Sequence, residues 1–298
     1  MISHLKTILR KRLSSNTWER FRHLAIGLGI IRMTPPMLAD EIAAWEKKIR
    51  EIGGTVNSER ISVDGIVLNN CYLQFPLVVV ENIYHQNYGL SLDRESIVVD
   101  IGANAGVSAL FLAQNSAVTK VIGFEPLVPI FRMLQDNLSL NRELAKKIEV
   151  FNFGLGERSE KLTVRYSRDH AMSASMRGIY DRYYQSVDSN EQIEIFDAAA
   201  VIDDIFSKHP DQQIVLKMDC EGAEFEILPR LAEKGLLGRV GVLIVEFHDK
   251  QPSDLIDLLH RSGFTSFVEW NRRDINIGMI RSVRRTSSVD ALDSGIAS

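Results

Sequence analysis

The chain has 298 residues, 45% of them hydrophobic and 25% charged, an ordinary globular composition and enough length to bury a full core. The net charge of −4 gives no reason to expect nucleic acid as a partner held by bulk electrostatics. The two cysteines, Cys71 and Cys220, form neither a disulfide framework nor a metal site by spacing and fit a reducing, cytoplasmic setting; no apolar run reaches the length of a membrane span.

Residues 1–34 form a separate compositional block. Seven basic side chains stand against the single acid Glu19, and Ile2, Leu5, Ile8, Leu9 and Leu13 recur at near-helical spacing. Such a segment can lie peripherally on an anionic membrane surface, here the inner face, or pack on its own protein; both readings stay open. Thr34-Pro35-Pro36 is a boundary, and Leu38, Ile42, Trp45, Ile49 and Ile52 then make one apolar helical stripe ended by Gly53-Gly54. Residues 1–55 therefore read as a basic, helical extension.

Arg60–Asn69 predicts a hairpin turning at Asp64-Gly65, followed by the mainly apolar Phe75–Tyr84. Strands are expected at Ile97–Asp100, Val121–Glu125, Ile148–Phe153, Ile214–Asp219 and Val242–Phe247. Helices fall near 107–113, 127–140, 222–234 and 253–262. That alternation predicts an α/β doubly wound, mostly parallel sheet. Phe264–Trp270 and Ile275–Arg281 are too close for a helical crossover and put an antiparallel strand at the C-terminal side. The main domain spans 56–281, and the small, polar 282–298 reads as a disordered tail.

The chemistry gathers at strand ends. After the branched run Ile97–Val99, Asp100 is followed by a turn in which Gly102 and Gly106 bracket Asn104. The spacing is not the dinucleotide G-x-G-x-x-G, and Asp100 would repel a pyrophosphate. A cationic ligand with a ribose and an amino-acid part, such as S-adenosylmethionine, fits better. Glu125 closes the second strand, where an acid can accept bonds from both ribose hydroxyls, and Asn152 closes the third. Asp219, Glu221 and Glu224 crowd the turn after the fourth strand. Glu246 and His248 share a face at the end of the fifth, where a histidine can be a base tuned near neutrality. The acid cluster could instead hold a divalent ion, although no metal-ligand spacing singles one out.

The stretches V-V-D-I-G-A-N-A-G (98–106), F-E-P (124–126), L-x-x-N-x-x-x-N (134–141), N-F-G-L-G-E (152–157), L-K-M-D-C-E-G-A-E (216–224) and V-E-F-H (245–248) together resemble the FkbM family of S-adenosylmethionine-dependent methyltransferases. The resemblance covers roughly residues 60–281. It implies a class I, Rossmann-like methyltransferase fold and O-methylation of a hydroxyl on a sugar, glycolipid or polyketide-like molecule. It implies cofactor contacts at Asp100, Gly102, Asn104, Gly106, Glu125, Asn152 and Asp219. For the catalytic base the residues themselves put His248 first and Glu221 second, with Glu246 orienting the ring. The segment Tyr166–Asn190, with four of the seven tyrosines, reads as the substrate side. Two further readings are weighed. One is a nicotinamide-dependent oxidoreductase, which lacks its glycine pattern. The other is a non-catalytic, membrane-attached cofactor-binding protein.

Overall fold

Proline at a helix start has no needed N–H to lose, and the first described helix begins at the Pro35-Pro36 pair. The computed structural model describes residues 35–72, 74–167, 189–271 and 276–285. Helix α1 (Pro35–Glu51) carries Lys48 and Arg50 in its last turn, and the Gly53 N–H bonds the Arg50 carbonyl to stop it. Strands β1 (Thr55–Val56), β2 (Arg60–Val63) and β3 (Ile66–Asn69) form an antiparallel meander. Its expected turn at Asp64-Gly65 has φ of 50° and 74°, the two positive values of a type I′ turn. Ile61, Val63, Ile66 and Leu68 point inward and pack with Ile49 and Phe75. Helix α2 (Phe75–Val79) runs straight into a π-helical turn, Val80–Tyr84.

The core follows as β4 (Ser96–Ile101), α3 (Val107–Ala113), β5 (Val118–Phe124), α4 (Val128–Leu140), α5 (Arg142–Ala145) and β6 (Ile148–Phe151). Next come β7 (Gly154–Gly156), β8 (Glu160–Tyr166), β9 (Ser189–Asp197) and α6 (Ala198–Lys208). The chain closes with β10 (Gln213–Met218), α7 (Glu224–Glu233), β11 (Val240–Phe247), α8 (Ser253–Arg261), β12 (Phe264–Trp270) and β13 (Gly278–Arg284). Seven strands make the central sheet in the order β12-β13-β11-β10-β4-β5-β6. All neighbouring pairs from β11 to β6 are parallel, and β13 runs antiparallel between β11 and β12. This is the expected doubly wound, mostly parallel fold.

All six residues of β4 are buried, because helices cover both faces of the sheet. Ile97, Val99 and Ile101 point to the side of α6, α7 and α8, whereas Val98 packs with Ala109 and Leu112 of α3. From β4 the chain winds outward through β5 and β6, then returns to place β10 on the other side of β4. The β4–β10 boundary is thus the topological switch point, where a crevice opens beyond the strand ends.

Three features differ from expectation. A second sheet, β7-β9-β8, lies beside the main one, and α6 follows it without a break. The helix start was signalled by Asp197, whose carboxylate accepts from the Ala199 N–H at 2.9 Å, but the apolar run Ala198–Ile202 masks the change of period. The last strand runs to Arg284, so 282–284 are not tail. Ser282 is buried and shares a 2.7 Å hydrogen bond with Ser266 across the β12–β13 pair, and Arg284 donates to the Val240 carbonyl. The membrane-surface segment 1–34, most of the tyrosine-rich stretch (168–188) and the end 286–298 lie outside the described residues. No described helix is long and apolar enough to cross a membrane.

Candidate active site

A charged side chain in an all-buried strand needs a partner, and the two that interrupt β4 and β10 meet each other. Asp100 and Lys217 occupy the same register of adjacent strands, with Lys217 Nζ 2.8 Å from Asp100 Oδ1. Ser108, at the start of α3, donates to the other oxygen of Asp100 at 2.7 Å. Lys217 also donates to the Gly102 carbonyl at 2.7 Å and lies 4.9 Å from the centre of the Tyr88 ring. Burial works against the ammonium charge, but Asp100 and Asp219 outweigh it and raise its pKa. Asp100, expected at the cofactor, is therefore sealed beneath the loop, where it anchors the floor.

The glycines of that loop also act differently from the expectation of open space for a ligand. A Cβ on Gly102 would lie 1.8 Å from the Asp219 carbonyl oxygen, and its φ is +83°. Gly102 lets the loop after β4 and the turn after β10 touch. Gly106 (φ +85°) faces Leu134 of α4, whose Cγ would lie 3.2 Å from a Cβ. Asn104 takes a φ of 46°, and its side-chain oxygen caps the Ala105 N–H at 2.7 Å and accepts from the Tyr72 hydroxyl at 3.2 Å. Glu125 is buried just past β5. It accepts from the Asn104 N–H at 3.1 Å and the Leu127 N–H at 2.9 Å. Burial pushes its carboxyl up to about 7 against the pull of those two donors. Asn152 is exposed and donates to the Glu125 and Pro126 carbonyls at 2.9 and 3.1 Å, so it clamps the end of β5.

Beyond this floor a cavity of about 260 Å³ opens. Gly102–Asn104 and Ser108 line one side, Asp219 and Glu221 a second, and Glu246 and His248 a third, with Glu81, Asn82 and Tyr88 closing over. Glu221 and Gly222 turn with φ of 54° and 103°. Glu224 points inward, fully buried, and accepts from the Cys220 and Gly222 N–H groups at 2.9 and 2.8 Å, holding the turn shut. Tyr88 has its hydroxyl 2.8 Å from both Asp219 Oδ2 and Glu246 Oε2. A phenol has one proton, so the second contact requires a proton on a carboxyl. Burial, reinforced by Asp219, pushes Glu246 up to about 7; burial likewise pushes Glu221, and Glu81 under the influence of Glu246, to about 8.

His248 was expected to be a base near neutrality. The structure surrounds it with acids: Nε2 is 3.8 Å from Glu221, 4.0 Å from Asp219 and 4.0 Å from Glu246, and Nδ1 is 3.4 Å from Glu224. Burial disfavours the imidazolium, but these carboxylates prevail and raise its pKa well above the ordinary value. The acids around it favour the imidazolium, so the ring acts as a counter-charge to them.

Of the residues expected at the site, Gly102, Asn104, Asp219, Glu221, Glu246 and His248 line this one cavity. Asp100, Gly106, Glu125 and Asn152 shape the loop and strand ends beside it. Lys217, Tyr88 and Glu81 were not read as site residues. Lysine within the apolar strand was a visible signal, since only a buried partner could explain it. Tyr88 lies in an irregular stretch and Glu81 on the π-helical turn; neither position carries a periodic cue.

The model of the methyltransferase FkbM domain matches residues 100–266, more than half of the chain, from the end of β4 to the start of β12. The AMB antimetabolite synthetase AmbE of Pseudomonas aeruginosa is 27% identical over 237 residues, covering 68% of this chain but 11% of that protein. Methyltransferase sdnD of Sordaria araneosa is 25% identical over 165 residues, 48% of this chain and 63% of its own length. The chain thus spans under two thirds of either relative. The crystal structure of methyltransferase FkbM from Methylobacillus flagellatus is 17% identical, covers 82% of this chain and 59% of its own, and gives a TM-score of 0.45. The motifs that frame the cavity, from the loop after β4 to the acid–histidine end of β11, all fall within the span of the family model, and the chain belongs to the FkbM methyltransferase family.

Proposed function

We propose that the protein is an S-adenosylmethionine-dependent O-methyltransferase that acts on a hydroxyl of a small molecule, with a sugar, glycolipid or polyketide-like acceptor in view. One observation carries the reading: the cavity at the switch point presents Asp219, Glu221, Glu246 and Glu81 on its walls. An acidic wall of this kind suits cationic ligands, among them one bearing a sulfonium and an ammonium group. Glu125 fits a ribose, since each of its oxygens accepts one N–H and keeps a lone pair free. When bound, S-adenosylmethionine supplies an electrophilic methyl group.

The chain's own residues then have two tasks, to position the acceptor hydroxyl and to take its proton. Glu246 is the base in this reading. It lines the cavity, and its neighbours Asp219, His248, Tyr88 and Lys217, together with burial, poise its carboxyl near neutrality. Tyr88 fixes one of its oxygens, and His248 Nε2 lies 4.0 Å from the other. Glu246→Gln should cut turnover about a hundredfold or more. Because the base must be ionised to act, the wild-type rate should rise as pH increases through about 7.

The test is calorimetry of the full chain with S-adenosylmethionine and with NAD, followed by transfer of labelled methyl to a panel of hydroxylated glycans and lipids. Binding of S-adenosylmethionine and a labelled methyl ether are expected. Tight binding of NAD and none of S-adenosylmethionine would overturn the reading.

A further inference from the structure

We propose that Asp219, Glu221 and His248 hold a divalent first-row metal ion. One donor atom from each lies within 4.8 Å of the others, and all three sit on the cavity wall. Asp219 and Glu221 come from the turn after β10 and His248 from the end of the neighbouring strand β11, so rigid parallel strands set their spacing.

The independent observation is the histidine. His248 is only 5% exposed and lines the cavity, and its Nε2 makes no hydrogen bond to a described residue. Its Nε2 points at Glu221, Asp219 and Glu246 oxygens 3.8 to 4.0 Å away, beyond hydrogen-bond reach. A cation about 2.0–2.2 Å from each donor leaves the donors roughly 3–4 Å apart, and Nε2 lies 3.8 Å from Glu221 and 4.0 Å from Asp219. Glu224 lies 3.4 Å behind Nδ1, where a carboxylate that orients a ligating imidazole belongs. Its own two backbone hydrogen bonds hold it in place.

Charge points the same way. Four carboxyl groups line the cavity, and Lys217, beside them, is already engaged by Asp100. A mixed carboxylate–imidazole set suits Mn2+ or Zn2+, and a metal at Nε2 takes the place of the imidazolium proton and releases it. The role of the ion rests on the O-methylation reading. There the acceptor hydroxyl, coordinated to the ion, gives its proton to Glu246, and its oxygen forms the new C–O bond as the donor's C–S bond breaks.

The test is an Mn2+ titration of the chelator-stripped full chain, followed by the loss of the free-ion signal in electron paramagnetic resonance, with neither cofactor nor acceptor present. One site per chain is expected. Affinity should fall at least tenfold in Asp219→Asn and His248→Gln, and about 10- to 100-fold in Glu224→Gln, which removes no ligand. Thermal melting checks that each variant is folded. Mn2+ that stays free with the wild-type chain, or binds folded Asp219→Asn and His248→Gln unchanged, overturns the site. Because the titration contains no methyl donor, its failure is separate from failure of the methyltransferase reading. Methyl transfer that persists in chelator, with no Mn2+ bound, keeps that reading and removes this one.

Discussion

The loop after β4 and the turn after β10 touch at the switch point, and each carries a strand-ending aspartate, yet the two acids do different work. Asp100 lies in the plane of the sheet, paired with Lys217 and Ser108. Asp219 stands two residues beyond Lys217, the register partner of Asp100, on the wall of a cavity shared with Glu221, Glu246 and His248. Buried charge is tolerated only when paired, so the first site spends its lysine on architecture. The second gathers several carboxyl groups around one histidine, His248, on the wall of a cavity. The lesson is that the cation partner, more than the residue type at the strand end, separates a structural acid from one available for chemistry.

The sharpest way to break this contrast is to strip the floor of its cation. Lys217→Met should cost about 3–5 kcal/mol, measured by denaturant unfolding, because it strands a buried carboxylate. The double change Asp100→Leu with Lys217→Met should recover most of that loss, since a pair of apolar groups is tolerated where a single charge is not. A double variant as unstable as the single one would mean that Lys217 supports the fold by some route other than pairing with Asp100.

Next in size is the contact between the two loops. Gly102→Ala combines left-handed backbone strain with a collision against the Asp219 carbonyl and should cost about 3–4 kcal/mol. Gly106→Ala meets only the movable Leu134 side chain and should cost about 1–2 kcal/mol. Thermal denaturation of the two variants side by side gives the ranking. Equal losses would refute the close approach at Gly102.

Glu125 sharpens the comparison as a buried acid held by backbone N–H groups instead of a cation. Burial pushes its carboxyl from the ordinary 4.5 up to about 7, so the native state binds the proton more tightly. The stability it contributes is therefore full below about 4.5 and is lost as pH rises through about 7, by about 3 kcal/mol at most. Unfolding free energies between pH 4.5 and 7.5 should fall more steeply for the wild type than for Glu125→Gln. The smallest effect is expected at Tyr72→Phe, which removes one hydrogen bond to Asn104 and should cost about 1 kcal/mol in chemical unfolding.

Much of this molecule was legible as one-dimensional pattern. The apolar β4 run, the alternation with amphipathic helices, the Asp64-Gly65 turn and the crowding of acids after β10 are local in origin, because periodicity and turn chemistry act over a few residues. So the fold class and six residues of the cavity wall could be named from the chain alone. What tertiary structure decided was partnership. Only the register of β4 against β10 shows that Asp100 is satisfied by Lys217. Only the folding of 75–88 over the crevice brings Glu81 and Tyr88 to acids more than 130 residues away. Whether His248 is a base or a counter-charge depends on carboxylates delivered by the turn after β10 and by its own strand. Electrostatics acts through space over several ångströms, and distance along the chain does not report it.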